Sequence, residues 1–278
     1  MKTTSSIREI RKERWRHVNA TWGLVPTMGF LHEGHLSLVR QARQENDCVG
    51  VSIFVNPMQF NERTDFQKYP RDLERDLHLL KNEGVDLVWT PGPEAVYPPE
   101  FQTHVEVERI SQPLEGAARP GHFRGVATVV AKLFNIFQPQ RAYFGQKDAQ
   151  QAIVIRRLVT DLNFDLDVII CPTVREKDGL AMSSRNARLS HEARAQAVCL
   201  YQSLWIGQNL IANGEVETGK IKFAMQEQIR SFDKARIDYI SLANPETLWE
   251  IETVQRPVLI SVAVFVDGVR LIDNIFIE

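Results

Sequence analysis

The chain has 278 residues, enough for one large α/β domain or a larger domain with a smaller one, since single cores stop growing near ~250–300 residues. With 44% apolar and 24% charged residues it is neither fibrous nor disordered, and a net charge of −2 gives no field to draw in a nucleic acid. Cys48, Cys171 and Cys199 lack the paired spacing of a zinc site and read as reduced thiols of a cytoplasmic protein.

The N-terminus is polar, without the apolar stretch of a signal peptide, and no apolar run approaches the ~20 residues that span a bilayer, so no membrane partner is expected. Arg11-Lys12-Glu13-Arg14 mixes both signs and reads as a solvated helix face. From residue 22 to about 173, short β-rich runs alternate with helical patterns, which predicts βαβ units and a parallel sheet. Strands are expected at 22–25, 49–55, 86–89, 141–144 and 167–170. The run at 49–55 is apolar nearly throughout, as a strand covered on both faces would be.

Directly after the first strand, Pro26-Thr27-Met28-Gly29-Phe30-Leu31-His32-Glu33-Gly34-His35 opens a helix whose buried face is Leu36, Val39 and Ala42. A helix N-terminus favours anions, and His32 and His35, three apart, can project together towards a phosphate while Gly34 admits it to the backbone. Zinc would call for histidines four apart with Glu between them, and a third ligand; neither is evident.

Helices are expected at 126–137 and 149–162. Between them Phe144-Gly145-Gln146-Lys147-Asp148 follows a strand, so Lys147 can set a point charge on phosphates and Asp148 can hold it or a metal. In open α/β sheets such loops after strands carry the ligands. Gly179-Leu180-Ala181-Met182-Ser183-Ser184-Arg185-Asn186 adds two hydroxyls and a guanidinium fork, a mobile phosphate clamp. Past it come a long helix at 191–212, a second at 218–232, and a hairpin of 258–266 and 269–272 turned by Asp267-Gly268. The Gly214-x4-Gly219-Lys220 pattern resembles a P-loop, but Ile221 stands where Ser or Thr must hold Mg²⁺ and a helix precedes it, so it reads as an interhelical turn.

Six motifs in order, residues 26–35, Val55-Asn56-Pro57-Met58-Gln59-Phe60, Tyr69-Pro70-Arg71, the run from Glu115-Gly116-Ala117-Ala118-Arg119 through Pro120-Gly121-His122-Phe123-Arg124-Gly125, residues 144–148 and residues 182–186, resemble pantothenate synthetases. The likeness implies a Rossmann-like domain at 1–173, a smaller α+β domain at 174–278 that closes over the site, Mg²⁺ dependence and a homodimer. It also implies ATP-dependent ligation of pantoate to β-alanine through a pantoyl adenylate, on the route to coenzyme A. Carried over by position, Met28, Gly29, Phe30, Leu31, His32, Glu33, Gly34, His35, Gly145, Gln146, Lys147, Asp148, Val174, Met182, Ser183, Ser184 and Arg185 surround ATP, with His35, His32 and Lys147 catalytic. Gln59 and Gln151 hold pantoate, and Gln59 also lies near β-alanine. Arg119 and His122 follow in second rank, and Asp76 touches the metal.

Two positions depart from the family: Gln146 stands where Glu is common, and Arg75 where some members carry an acid near the metal. Two other readings compete: a nucleotidyltransferase of the HxGH superfamily that releases a nucleotidylated small molecule, and a regulatory module that binds ATP without consuming it.

Overall fold

The structure, a computed structural model, describes residues 1–278. In chain order it comprises β1 (Lys2–Thr4), α1 (Ile7–Arg16), β2 (Trp22–Thr27), α2 (Glu33–Glu45), β3 (Cys48–Ile53), α3 (Arg63–Lys68), α4 (Leu73–Asn82), β4 (Leu87–Trp89), α5 (Pro93–Val96) and α6 (Glu115–Ala118). There follow α7 (His122–Phe137), β5 (Arg141–Gly145), α8 (Ala149–Asp161), β6 (Asp167–Cys171), α9 (His191–Gln196), α10 (Cys199–Ala212), α11 (Thr218–Arg230), β7 (Ala235–Ala243), β8 (Val258–Val266) and β9 (Val269–Ile277).

The first six strands form one parallel sheet in the order β1-β4-β3-β2-β5-β6. Successive strand residues face opposite sides, and β2 divides accordingly. Trp22 and Leu24 join Ile10, Phe134, Phe137, Ile155 and Leu158 on one face, while Val25 joins Val39, Ala42, Val51 and Leu80 on the other. β3, between β2 and β4, is buried almost throughout, as its unbroken apolar run predicts. α7 is embedded more deeply than a surface helix, with even Thr128 and His122 out of water.

The five strands expected from the sequence are present, and a sixth, β1, was not foreseen. Lys2-Thr3-Thr4 contains no apolar residue to announce a strand, and it is held at the sheet edge by its pairing with β4 and by Glu13, 3.4 Å from the Lys2 ammonium.

Downstream, β7, β8 and β9 form an antiparallel sheet covered by α10 and α11, with its own core from Leu180 to Leu271. Asp267 and Gly268 both adopt positive φ (49° and 79°), the conformation of a two-residue hairpin turn. β9 runs to Ile277 rather than stopping near residue 272. Asp273 and Asn274 look like strand breakers but are buried and bonded: Arg175 clamps the Asp273 carboxylate at 2.6 and 3.0 Å, and Asn274 reaches across to another loop. The helix expected at 191–212 is broken into α9 and α10 by a turn at Ala197–Val198, where Leu200 bonds back three residues to Ala197.

Gly214 to Lys220 links α10 to α11, as expected of a turn. Lys220 lies in solvent, 2.7 Å from the Glu217 carboxylate.

Candidate active site

From β2 the chain moves outward to β3 and β4, then returns to place β5 against the opposite edge of β2. That reversal leaves a crevice at the carboxyl ends of β2 and β5, where an open α/β sheet binds its ligand. A cavity of about 210 Å³ lies there. Of the expected residues, Met28, His32, Gly34, His35, Gln59, Gly145, Lys147, Asp148, Gln151, Val174, Met182, Ser183, Ser184 and Arg185 line it. Gly29, Phe30, Leu31, Glu33, Gln146 and Asp76 do not. Glu33 instead faces outward to Arg40, at 2.6 Å.

The two histidines cap their own helix. His32 is the N-cap of α2, and its Nδ1 accepts from the Gly34 N–H at 3.2 Å, while His35 Nδ1 accepts from the His32 N–H at 3.3 Å. A neutral imidazole that accepts at Nδ1 carries its proton at Nε2, so each ring offers one N–H donor. The rings lie 4.1 Å apart. Burial, then neighbouring Lys147, lowers His32 to about 4, and burial, then His32, lowers His35 to about 3. Both are therefore neutral donors at physiological pH. His122 is held at about 4 by burial and Arg119. In histidine NMR titrations all three rings are expected to stay neutral down to about pH 5; a midpoint near 6.5 for His35 would mean that its ring stands in open water.

A carboxylate fixes the entry to this helix. Gly29 and Phe30 both have positive φ, 81° and 51°, which costs a non-glycine residue about 1 kcal/mol. The two consecutive left-handed residues turn the N–H groups of Phe30 and Leu31 towards one point, and Asp76 accepts both at 2.7 Å. Asp76, expected beside the metal, thus holds the main chain of this loop. Both its oxygens are engaged by the backbone, it is only 1% exposed, and it lies outside the cavity wall. Arg75 braces the same loop, donating to the Leu31 carbonyl at 2.9 Å with its guanidinium over the Phe30 ring.

On the opposite wall Lys147 lies 3.4 Å from Asp148. Burial alone would raise the Asp148 carboxyl, but Lys147 and Arg185 hold it below its usual range. The carbonyls of Gln146 and Lys147 each accept from Asn274 at 2.9 Å, so β9 fixes this loop from the C-terminal side. Ser184 donates to the Phe30 carbonyl at 3.1 Å, and Asp65 on α3 holds Arg185 at 3.0 Å and Arg188 at 2.6 Å. The Ser183-Ser184-Arg185 loop is thereby docked on the sheet domain.

Gln59 is buried, with its Oε1 accepting from Asn56 at 3.1 Å, and its main-chain carbonyl is gripped by Arg119 (3.0 Å) and His122 (2.8 Å). Gln151, on α8, faces the cavity, whereas its neighbour Gln150 is buried among backbone carbonyls. Two wall residues escaped the sequence reading. Asn56, named only as part of the 55–60 motif, also bonds the Gly125 carbonyl, the Met58 N–H and the Tyr97 hydroxyl. Thr173 has a buried hydroxyl without a partner in the wall, where a ligand group would satisfy it. Nothing in either local sequence announces this.

Fold and cavity define an α/β enzyme with neutral and cationic donors gathered at the switch point of a parallel sheet. The chain belongs to the pantoate-beta-alanine ligase family, whose pattern it matches over residues 1–276. It is 56% identical to the pantothenate synthetase of Thermotoga petrophila over 276 residues (99% of each chain) and 55% identical to that of Moorella thermoacetica over 256 residues (92% of this chain, 90% of the relative). Its fold matches the crystal structure of pantothenate synthetase from Thermus thermophilus with a TM-score of 0.95 at 48% identity, covering 99% of each chain. The pantoate-beta-alanine ligase of Francisella tularensis, complexed with beta-gamma ATP and beta-alanine, matches at 0.83 and 34% identity, covering 99% and 97%.

Proposed function

We propose that this protein ligates pantoate to β-alanine at the expense of ATP, releasing AMP and pyrophosphate through an enzyme-bound pantoyl adenylate. One observation carries the reading: two neutral imidazole donors, Lys147 and Arg185 converge on the same cavity as the carboxamides of Gln59 and Gln151. The relatives are ligases of this kind, which leaves the nucleotidyltransferase alternative without support.

The pantoate carboxylate attacks the α-phosphorus in line, and charge grows on the phosphate oxygens as pyrophosphate leaves. His32 and His35 donate from Nε2 without giving up a proton, and Lys147 and Arg185 add positive charge, so preorganised electrostatics lower the barrier. Gln59 and Gln151 can each donate to one pantoate group and accept from another. The amine of β-alanine then attacks the acyl carbon and expels AMP. Shielding from water preserves the mixed anhydride between the steps.

Mg²⁺ fits this site as a companion of the nucleotide. No three His, Cys, Asp or Glu side chains are grouped to hold a metal, and Asp148 is the only carboxylate on the cavity wall. An ion that keeps its water and binds one carboxylate plus phosphates suits that donor set and would neutralise phosphate charge.

The division at residues 173 and 174 is part of this reading, supported by the end of the parallel sheet at Cys171 and by the separate antiparallel sheet that follows, with its core from Leu180 to Leu271. So is a cytoplasmic location, with no helix long and apolar enough to cross a membrane.

A homodimer is supported by residues 101–108, an extended run outside every sheet in which Val105 and Val107 turn inward between exposed neighbours. The Val105 N–H and carbonyl are held by Thr128 on the inner side, which leaves the main-chain groups of His104 and Glu106 for a second copy, and an antiparallel register centred on Val105 sets His104 opposite Glu106. Glu106→Pro should then sediment as a monomer; a monomeric parent protein overturns the assignment.

Labelled oxygen tests the chemistry. Pantoate carrying ¹⁸O in its carboxyl group must deliver one labelled oxygen to AMP, read by mass spectrometry of the complete reaction. Unlabelled AMP sinks the adenylate route.

A further inference from the structure

Away from the reacting groups, one carboxylate joins the two halves of the molecule. Glu115 opens α6 and is buried, yet three side chains converge on it. Arg270 of β9 donates to both its oxygens, at 2.7 and 2.8 Å, and the Tyr239 hydroxyl of β7 donates at 2.9 Å. Arg119 lies 3.8 Å away. Burial alone would raise the Glu115 carboxyl, but the Arg270 fork holds it below its usual range, and Arg270 is itself steadied by Asp238 at 2.8 Å.

The mounting is stiff. The Glu115 N–H donates to Gln150, whose amide donates on to the carbonyls of Ile110 and Pro113. A Cβ on Gly116 would fall 1.7 Å from the Ser111 carbonyl oxygen, so glycine is what lets α6 pack this closely on the loop before it. From Glu115 two short paths reach the cavity: through Arg119 to the Gln59 carbonyl, and through Gln150 to the adjoining Gln151.

We propose that Glu115 is a positioning residue for pantoate, tying the seating of the C-terminal sheet to the placement of Gln59 and Gln151. The inference rests on the pantoate-ligating reading. Loss of the tie leaves the ATP contacts of the α2 entry intact, because Asp76 and Arg75 hold them from α4. It loosens the carboxamides and the edge that excludes water.

Steady-state kinetics of Glu115→Gln should show the KM for pantoate raised about tenfold, the KM for ATP nearly unchanged, and more AMP formed than pantothenate as the adenylate is hydrolysed. Equal rises in both KM values, or an unmoved pantoate KM with AMP and pantothenate in equal amounts, overturn the proposal. Should Glu115→Gln not fold, Arg270→Lys decides. It keeps a cation beside Glu115 but loses the fork, so the same split must appear in weaker form, and its absence is equally fatal. An unsubstituted protein that makes no pantothenate would refute the reading beneath, whereas an active parent with unmoved variants refutes only the tie.

Discussion

His35→Ala is expected to fold and to form adenylate about 10²–10³-fold more slowly, the loss that follows removal of one preorganised donor from a developing oxyanion. The ring is neutral and locked by its acceptance from the His32 N–H, so it contributes a fixed Nε2–H that water in the vacated space would have to reorganise to replace. Because that donation strengthens as charge develops, the deficit should fall mainly on kcat rather than on the KM for ATP. Lys147→Ala should behave in the same sense. Rapid-quench measurement of AMP at saturating pantoate is the check. A rate near that of the parent would remove His35 from the reaction.

The second large effect belongs to Asp76, which lies outside the cavity wall. Asp76→Ala leaves the buried Leu31 N–H and the partly buried Phe30 N–H unpaired, at about 1–3 kcal/mol each, and withdraws the anion that holds Gly29 and Phe30 in their left-handed turn. Stability should fall by roughly 3 kcal/mol in urea unfolding, with a large drop in kcat because His32 begins its helix two residues later. The Mg²⁺ concentration for half-maximal activity should not change. A marked rise in that requirement would return Asp76 to the metal.

Much of the sheet was legible because its strands are apolar, so that even three-residue β4, Leu87-Val88-Trp89, declares itself. The apolar run of β3 and the 3.6-residue rhythm of α7 are local signals, and each forced one structure. β1 and the end of β9 were hidden. Lys2-Thr3-Thr4 has no apolar residue to mark a strand, while Asp273 and Asn274 carry polarity that only distant partners, Arg175 and the carbonyls of Gln146 and Lys147, convert into strand. The site divides in the same way. Loops that follow strands could be marked out in advance, whereas nothing around Asp76 in sequence reveals the inward-turned N–H group it holds 45 residues earlier. Glu115 begins one of the six family motifs, but its partners Tyr239 and Arg270 lie far downstream in the chain.

The reversal of strand order at β2 also sets a timetable. β2 can pair with β3 as soon as residue 53 has been made, but its other edge stays open until β5 arrives, and the Trp22 N–H waits for Gln140, 118 residues later. Chains emerge from the ribosome at about 5–20 residues per second, so that edge is bare for roughly 6–24 seconds of synthesis, a period in which an unpaired strand can recruit the wrong neighbour. The crevice does not exist before β5 closes it, and two of its braces, Asn274 and Arg270, follow only with β9. A nascent chain therefore holds the two histidines long before it has a pocket for a nucleotide, and nucleotide cannot chaperone the early stages of its folding.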